Sequence, residues 1–194
     1  MPPTTHLLYL HGFRSSPQST KAREVAAWIA EQHPEVAWSC PQLPPSPREA
    51  IALIETLIAP WPPEGTAVIG SSLGGFYAAV VAQRHGCPVV LLNPAPHPAR
   101  DLAKYVGELT AWHSDEVFDF RPEFVDELRA MTPDRLAHPG RCLAIITKGD
   151  EVLDWREMLA FVAGAQVELL EGGDHAIGDF PVHLPKVMRF LGLP

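Results

Sequence analysis

A chain of 194 residues suffices for one domain around a single sizeable core and is short for two. With 46% hydrophobic and 20% charged residues it has the profile of an ordinary globular protein, which excludes disorder as an overall description. The formal net charge of −8, with few and scattered Lys and Arg, argues against nucleic acid or an anionic membrane surface as partner and leaves a small molecule as the expected one.

The N-terminal MPPTTHLLYL lacks the basic region of a secretory signal, and no later stretch approaches membrane-spanning length, so the expected location is the cytoplasm. Its apolar run Leu7 to Leu10 predicts a first strand, followed by His11-Gly12-Phe13, where Gly12 permits a tight turn. Val25, Trp28 and Ile29 have helical spacing, and His33-Pro34 closes that helix. A second strand is predicted at Val36 to Ser39. The next helix carries its own start signal, with Ser46 as N-cap, Pro47 at the first helical position and Glu49 three residues after the cap. Its apolar face is Ile51, Ile54 and Ile58.

The third strand, around Ala67 to Ile69, runs into GSSLGG and then the helical FYAAVVAQRH. This is G-x-S-x-G between a strand and a helix, the setting of a nucleophile elbow: Ser72 stands on a sharp turn, and Gly70 and Gly74 let the flanking backbones approach. A serine hydroxyl needs a base to take its proton and a carboxylate to orient that base. Nine histidines are available. In this type of fold the order along the chain is Ser, acid, His, each from a loop after a successive strand, which sets aside the histidines before Ser72.

A fourth strand is predicted at Val89 to Leu92. The long segment 94–141 then reads as a lid-like insertion, with a helical pattern in Phe124, Val125, Leu128 and Met131 after Pro122. It is expected to overhang the C-terminal sheet edge, where Trp112, Phe118 and Phe124 would line an acyl pocket or else pack the insertion onto the core. Strand Cys142 to Thr147 leads into KGDEVLD, where Asp150 is favoured as the acid over Glu151 and over Asp154, which opens the next helix. After the last strand, Gln166 to Leu170, comes EGGDHAIGDF. Its His175 is favoured as the base over His183, which falls in the final helix with Leu184, Val187, Met188 and Leu191.

Strands alternating with helices, several of them apolar on both faces, predict an α/β fold with a doubly wound, mostly parallel sheet and helices on both sides. The whole chain, 1–194, is expected to be one domain. The backbone N–H groups of Leu73 and Phe13 are the candidates for an oxyanion hole. Cys40, Cys87 and Cys142, without C-x-x-C spacing, indicate free thiols. No metal or organic cofactor is called for.

HGFRSSP, IGSSLGGFYA, LNPA, KGDEVLD and EGGDHA, in that order, resemble the YqiA-like small bacterial esterases of the α/β-hydrolase superfamily. The resemblance covers nearly the whole chain. It implies a compact α/β-hydrolase lacking the superfamily's first strands, with Ser72, Asp150 and His175 as the triad and Phe13 and Leu73 at the oxyanion hole. The expected reaction is cleavage of carboxylic esters of short to medium acyl chains through an acyl-enzyme. Two rivals stand beside it: hydrolysis of acyl-CoA or another thioester, for which Arg14, Lys21 and Lys148 are the candidate phosphate partners, and a non-catalytic binding protein on the same fold.

Overall fold

A computed structural model of the protein describes residues 3–111, 117–133 and 135–193. The chain runs β1 (His6–Leu10), α1 (Thr20–Gln32), β2 (Ala37–Ser39), α2 (Pro47–Ile58), β3 (Thr66–Ser71), α3 (Leu73–His85) and β4 (Val89–Leu92). It continues through α4 (Pro98–Leu102), β5 (Gly107–Thr110), β6 (Val117–Phe120), α5 (Pro122–Met131), β7 (Cys142–Thr147), α6 (Trp155–Phe161), β8 (Gln166–Leu170) and α7 (Phe180–Phe190).

Six strands form one sheet in the order β2-β1-β3-β4-β7-β8, and every neighbouring pair is parallel. Alternation along each strand divides the core. Leu7, Tyr9, Ala67, Ile69, Val90, Leu92, Leu143 and Ile145 point to the face covered by α1 and α7. Leu8, Leu10, Val68, Val89, Leu91, Ala144 and Ile146 point to the face covered by α2, α3, α5 and α6. β3 and β7 are buried along their whole length, which is why Ala67 to Ile69 and Cys142 to Ile146 read as apolar without alternation. Helix α3 is buried from Leu73 to Ala82 and correspondingly apolar all round. No helix among the described residues is long and apolar enough to cross a membrane.

The winding reverses at β1. The chain passes from β1 outward to β2, returns to β3 on the other side, and proceeds through β4 and β7 to β8. Loops that leave β1 and β3 in opposite senses open a crevice at the C-terminal ends of those strands, the usual ligand position in such sheets.

The segment between β4 and β7 adds α4 and a two-stranded antiparallel ribbon, β5 with β6, to the one helix expected there. Its strands are four residues each and only partly buried, so local periodicity carries little signal. What holds the ribbon is tertiary: Phe120 is buried, with its ring 5.1 Å from that of Phe13, and Phe118 stands edge-on to Phe13 at 6.3 Å.

Helix α5 is tied to the start of α2 by one carboxylate. Ser46 Oγ accepts from the Glu49 N–H (3.2 Å), as its N-cap position requires, and donates to Glu127 Oε2 (2.7 Å). The same oxygen accepts from the Arg48 N–H at 3.0 Å. Glu127 thus satisfies an orphan donor of α2 and places a negative charge at its N-terminus. Glu127→Ala is expected to cost about 1–2 kcal/mol, since it strands a polar group at a half-buried junction. In thermal unfolding this reads as a Tm lower by about 3 to 6 °C.

Candidate active site

Loops following β1, β3, β4, β7 and β8 converge at the C-terminal edge of the sheet. The loop after β3 is the most constrained. Ser72 has φ 57° and ψ −121°, a conformation that costs a non-glycine residue about 1–3 kcal/mol. A Cβ on Gly70 would overlap the Gly74 backbone, and one on Gly74 would overlap the Leu10 carbonyl, so no side chain is tolerated at either position. The turn projects the Ser72 hydroxyl at the N-terminus of α3, whose dipole favours negative charge there.

Asp150, just beyond β7, has a side chain with 0% exposure. Its Oδ1 accepts from the Val152 and Leu153 N–H groups, both at 2.8 Å, and its Oδ2 lies 2.6 Å from His175 Nδ1. A carboxylate held by two backbone donors can only accept from the imidazole, so Nδ1 carries the proton and Nε2 keeps a lone pair. His175 Nε2 is 3.0 Å from Ser72 Oγ. The hydroxyl therefore donates to the imidazole, and three polar side chains form one directed relay. The His175 side chain retains 20% exposure while its Asp150 partner has none.

The remaining candidates have other partners. Asp154 caps α6 by accepting from the Arg156 N–H at 2.9 Å. Glu151 accepts from the His175 backbone N–H at 3.0 Å, holding the loop rather than the ring. His183, within α7, lies 3.4 Å from Glu168 and 3.5 Å from Asp179. His11 Nε2 accepts from the Leu43 N–H at 3.1 Å, and with Nδ1 3.0 Å from the Gly12 carbonyl it fixes the loop after β1. Among the described residues neither the Phe13 nor the Leu73 N–H meets an acceptor. Burial pushes the thiols of Cys40 and Cys142 up to about 12 and that of Cys87 to about 11, which keeps them protonated and unreactive.

Two cavities flank this cluster. One of about 230 Å³ is lined by Ser72, His175, Leu102, Tyr105 and Leu153. The other, of about 430 Å³, is lined by Leu43, Pro44, Leu53, Tyr77 and Phe118. Phe13, Arg14 and Leu73 form their common wall. Of the aromatics expected around an acyl chain, Phe118 lines the larger cavity. Phe124 lines neither: it is 4% exposed, packed 5.6 Å from Phe120, and belongs to the core because helix α5 turns its apolar face toward the sheet. Trp112 lies outside the described residues.

Sequence reasoning passed over Asn93. It directly follows β4 with φ 41°, is fully buried, and its Nδ2 donates to Thr147 Oγ1 (3.0 Å) and to the carbonyls of Asp174 (3.1 Å) and His175 (3.2 Å). Its Oδ1 accepts from the Thr147 N–H at 2.9 Å. The one available signal was an asparagine, tolerant of positive φ, directly after a buried strand in LNPA. Lys21 closes the other side of the same loop by donating to the Ala176 carbonyl, and burial holds its ammonium below the usual lysine range.

The chain matches, over residues 6–192, the model of a family described as an uncharacterised protein family, UPF0227. A curated relative, the UPF0227 protein VP0969 of Vibrio parahaemolyticus serotype O3:K6, is 30% identical over 87 residues, a stretch covering 45% of this chain and 42% of that one. The alignment thus spans less than half the relative's length. Among solved structures, alpha/beta hydrolase domain-containing protein 10 from mouse superposes with a TM-score of 0.72 at 14% identity, over 97% of this chain and 91% of that one. The Pyrococcus furiosus esterase Pf2001 superposes with a TM-score of 0.62 at 18% identity, over 98% and 81% of the two chains. The fold of this chain is that of the α/β hydrolases.

Replacing Asn93 with alanine removes the donors for two loop carbonyls and the acceptor for Thr147 N–H. The expected cost is about 3 kcal/mol, or roughly 6 to 12 °C in Tm by calorimetry.

Proposed function

We propose that this chain, which belongs to the family UPF0227, is a serine hydrolase of carboxylic esters in which Ser72, His175 and Asp150 form the catalytic triad. The observation that carries the reading is the relay from Ser72 Oγ through His175 Nε2 and Nδ1 to a fully buried Asp150 carboxylate, at 3.0 and 2.6 Å. Its starting point is a serine held at positive φ at a helix N-terminus. A merely structural serine gains nothing from such strain, whereas a nucleophile gains exposure and approach.

In the proposed reaction Ser72 Oγ attacks the acyl carbon while His175 Nε2 takes the hydroxyl proton. The negative charge that develops on the carbonyl oxygen is met by the N–H groups of Phe13 and Leu73, each worth on the order of 3 kcal/mol when aimed at such an oxyanion. The bond from carbon to the leaving oxygen then breaks, and that oxygen takes the proton from His175. Water, deprotonated by the same imidazole, attacks the acyl-enzyme; the proton returns to Ser72 Oγ and the carboxylic acid leaves. Asp150 keeps the imidazole in the tautomer that this sequence needs. Residues 94–141 act as the lid of the site within a single unit spanning the chain.

A CoA thioester is the second reading, resting on Arg14, which lines both cavities, and Lys104, which lines the smaller one. Of the three cations considered as phosphate partners, Lys148 is paired with Glu171 at 2.6 Å, Lys21 is committed to the Ala176 carbonyl, and Arg14 Nε donates to the Thr110 carbonyl at 2.7 Å.

Ser72→Ala is expected to lower turnover of a p-nitrophenyl ester by about 10⁶-fold with Tm retained, and Asp150→Asn by about 10⁴-fold, because the members of a triad act as a unit. Labelling by a fluorophosphonate probe should follow Ser72 and disappear in Ser72→Ala. A non-catalytic protein on this fold would take up no label, and a Ser72→Ala variant that still hydrolysed the ester would overturn the assignment.

A further inference from the structure

Resting on the serine-hydrolase reading, we infer that the substrates join an apolar acyl chain to a compact polar leaving group, with the acyl chain in the larger cavity and the leaving group in the smaller one. The direction follows from the reacting atoms. The leaving oxygen takes its proton from His175 Nε2, so it lies on the His175 side of the acyl carbon. His175 lines the cavity of about 230 Å³ and is absent from the lining of the other.

The carbonyl oxygen, for its part, points at the Phe13 and Leu73 amides, which belong to the wall common to both cavities. The one substituent left on the acyl carbon then points away from His175 and across Gly12. That path is open because Gly12 lacks a side chain: a Cβ there would stand 3.2 Å from Ser72 Cβ and 3.7 Å from Ser72 Oγ. Gly12 is itself part of the lining of the larger cavity, so the path leads into it.

The linings match the assignment. Leu43, Pro44, Leu53, Tyr77 and Phe118 give the larger cavity an apolar surface suited to a hydrocarbon chain, and its volume of about 430 Å³ falls in the ordinary range of small-molecule sites, roughly 300–1,000 Å³. The smaller cavity, lined by Leu102, Tyr105 and Leu153 as well, sets Asp101 and Lys104 beside Ser72 and His175 and has about half the volume, so a compact group with polar atoms finds partners there and a long hydrocarbon lacks room.

Two ester series on the wild-type protein test this. Acetyl, butyryl and octanoyl esters of p-nitrophenol vary the acyl side, and methyl, butyl and octyl acetates, followed by acid release, vary the alcohol side. The expected result is a kcat/KM that climbs with acyl length, by up to about fourfold per buried methylene, and does not climb with alcohol length. Leu53 and Val152, 38% and 60% exposed, stand at the rims of the larger and smaller cavities and supply the matched variants. Leu53→Trp should collapse the octanoyl-to-acetyl ratio, and Val152→Trp should leave that ratio in place. Preference for long alcohols over long acyl chains, equal dependence on both, or collapse of the ratio in Val152→Trp instead of Leu53→Trp would overturn the assignment. Hydrolysis of none of these esters, with no fluorophosphonate label on Ser72, is the separate result that removes the hydrolase reading itself.

Discussion

The arrangement at the sheet edge depends on the backbone of Ser72 being held where an L-residue does not rest by choice. Four hydrogen bonds over-determine it. The Ser72 N–H donates to the Leu92 carbonyl at 3.0 Å, and the Ser72 carbonyl accepts from Gly75 (2.9 Å), Phe76 (3.2 Å) and Ala95 (3.0 Å). Two of these partners come from β4 and the loop beyond it, so the turn is clamped by the neighbouring strand and not only by its own helix. At about 1 kcal/mol net for each, these bonds offset a strain of about 1–3 kcal/mol, and the contacts of α3 with the sheet add to them. The strain can persist only because the two glycines let α3 and β1 come close enough to make those contacts.

A second clamp holds His175, the proposed base. His175 sits in a loop with no regular structure, which alone would leave the imidazole free to wander by more than the reaction tolerates. Asn93 and Thr147, both fully buried, hold the carbonyls of Asp174 and His175, while Glu151 holds the His175 N–H from the other direction. Asn93 directly follows β4, whose last residue Leu92 and whose outgoing loop, through Ala95, also clamp Ser72. One strand end thus registers the two ends of the relay against each other. Asn93 touches neither reacting atom; its contribution is the position of the groups that do.

The parts legible in the sequence are those in which local pattern and tertiary role agree. All six runs read as strands are strands of the main sheet, the doubly wound parallel architecture is the one found, and the resemblance to the YqiA-like family agrees with the family match. The Ser46 cap was visible because capping is a property of four consecutive residues. Ser72, Asp150 and His175 could be placed in order because each follows a strand that was itself legible. What escaped depends on partners distant in the chain. Asn93 makes its bonds across separations of 54 to 82 residues, Glu127 completes a cap on a helix 81 residues away, and the β5–β6 ribbon rests on Phe13. Phe124 has the same helical spacing whether its face meets a ligand or the core, and only the direction in which α5 lies decides that it meets the core.

The topology also accounts for where the chain accommodates its extra segment. In a parallel sheet every loop at the C-terminal edge is a place for a functional group, and here the loops after β1, β3, β7 and β8 carry the groups proposed for the reaction: the Phe13 amide, Ser72, Asp150 and His175. The loop after β4 carries no group assigned to the reaction. Once Asn93 and Ala95 have made their bonds, the chain beyond is free of positional duty at the relay. An insertion after β1, β3, β7 or β8 would lengthen a loop whose side chain or amide must be placed within a fraction of an ångström. After β4 the added chain carries none of the proposed groups itself, and through Phe118 and Phe120 it packs against Phe13 in the loop after β1. Leu102 and Tyr105 of this segment line the smaller cavity and Phe118 lines the larger one, so the chain that carries none of the proposed groups still shapes the space around them.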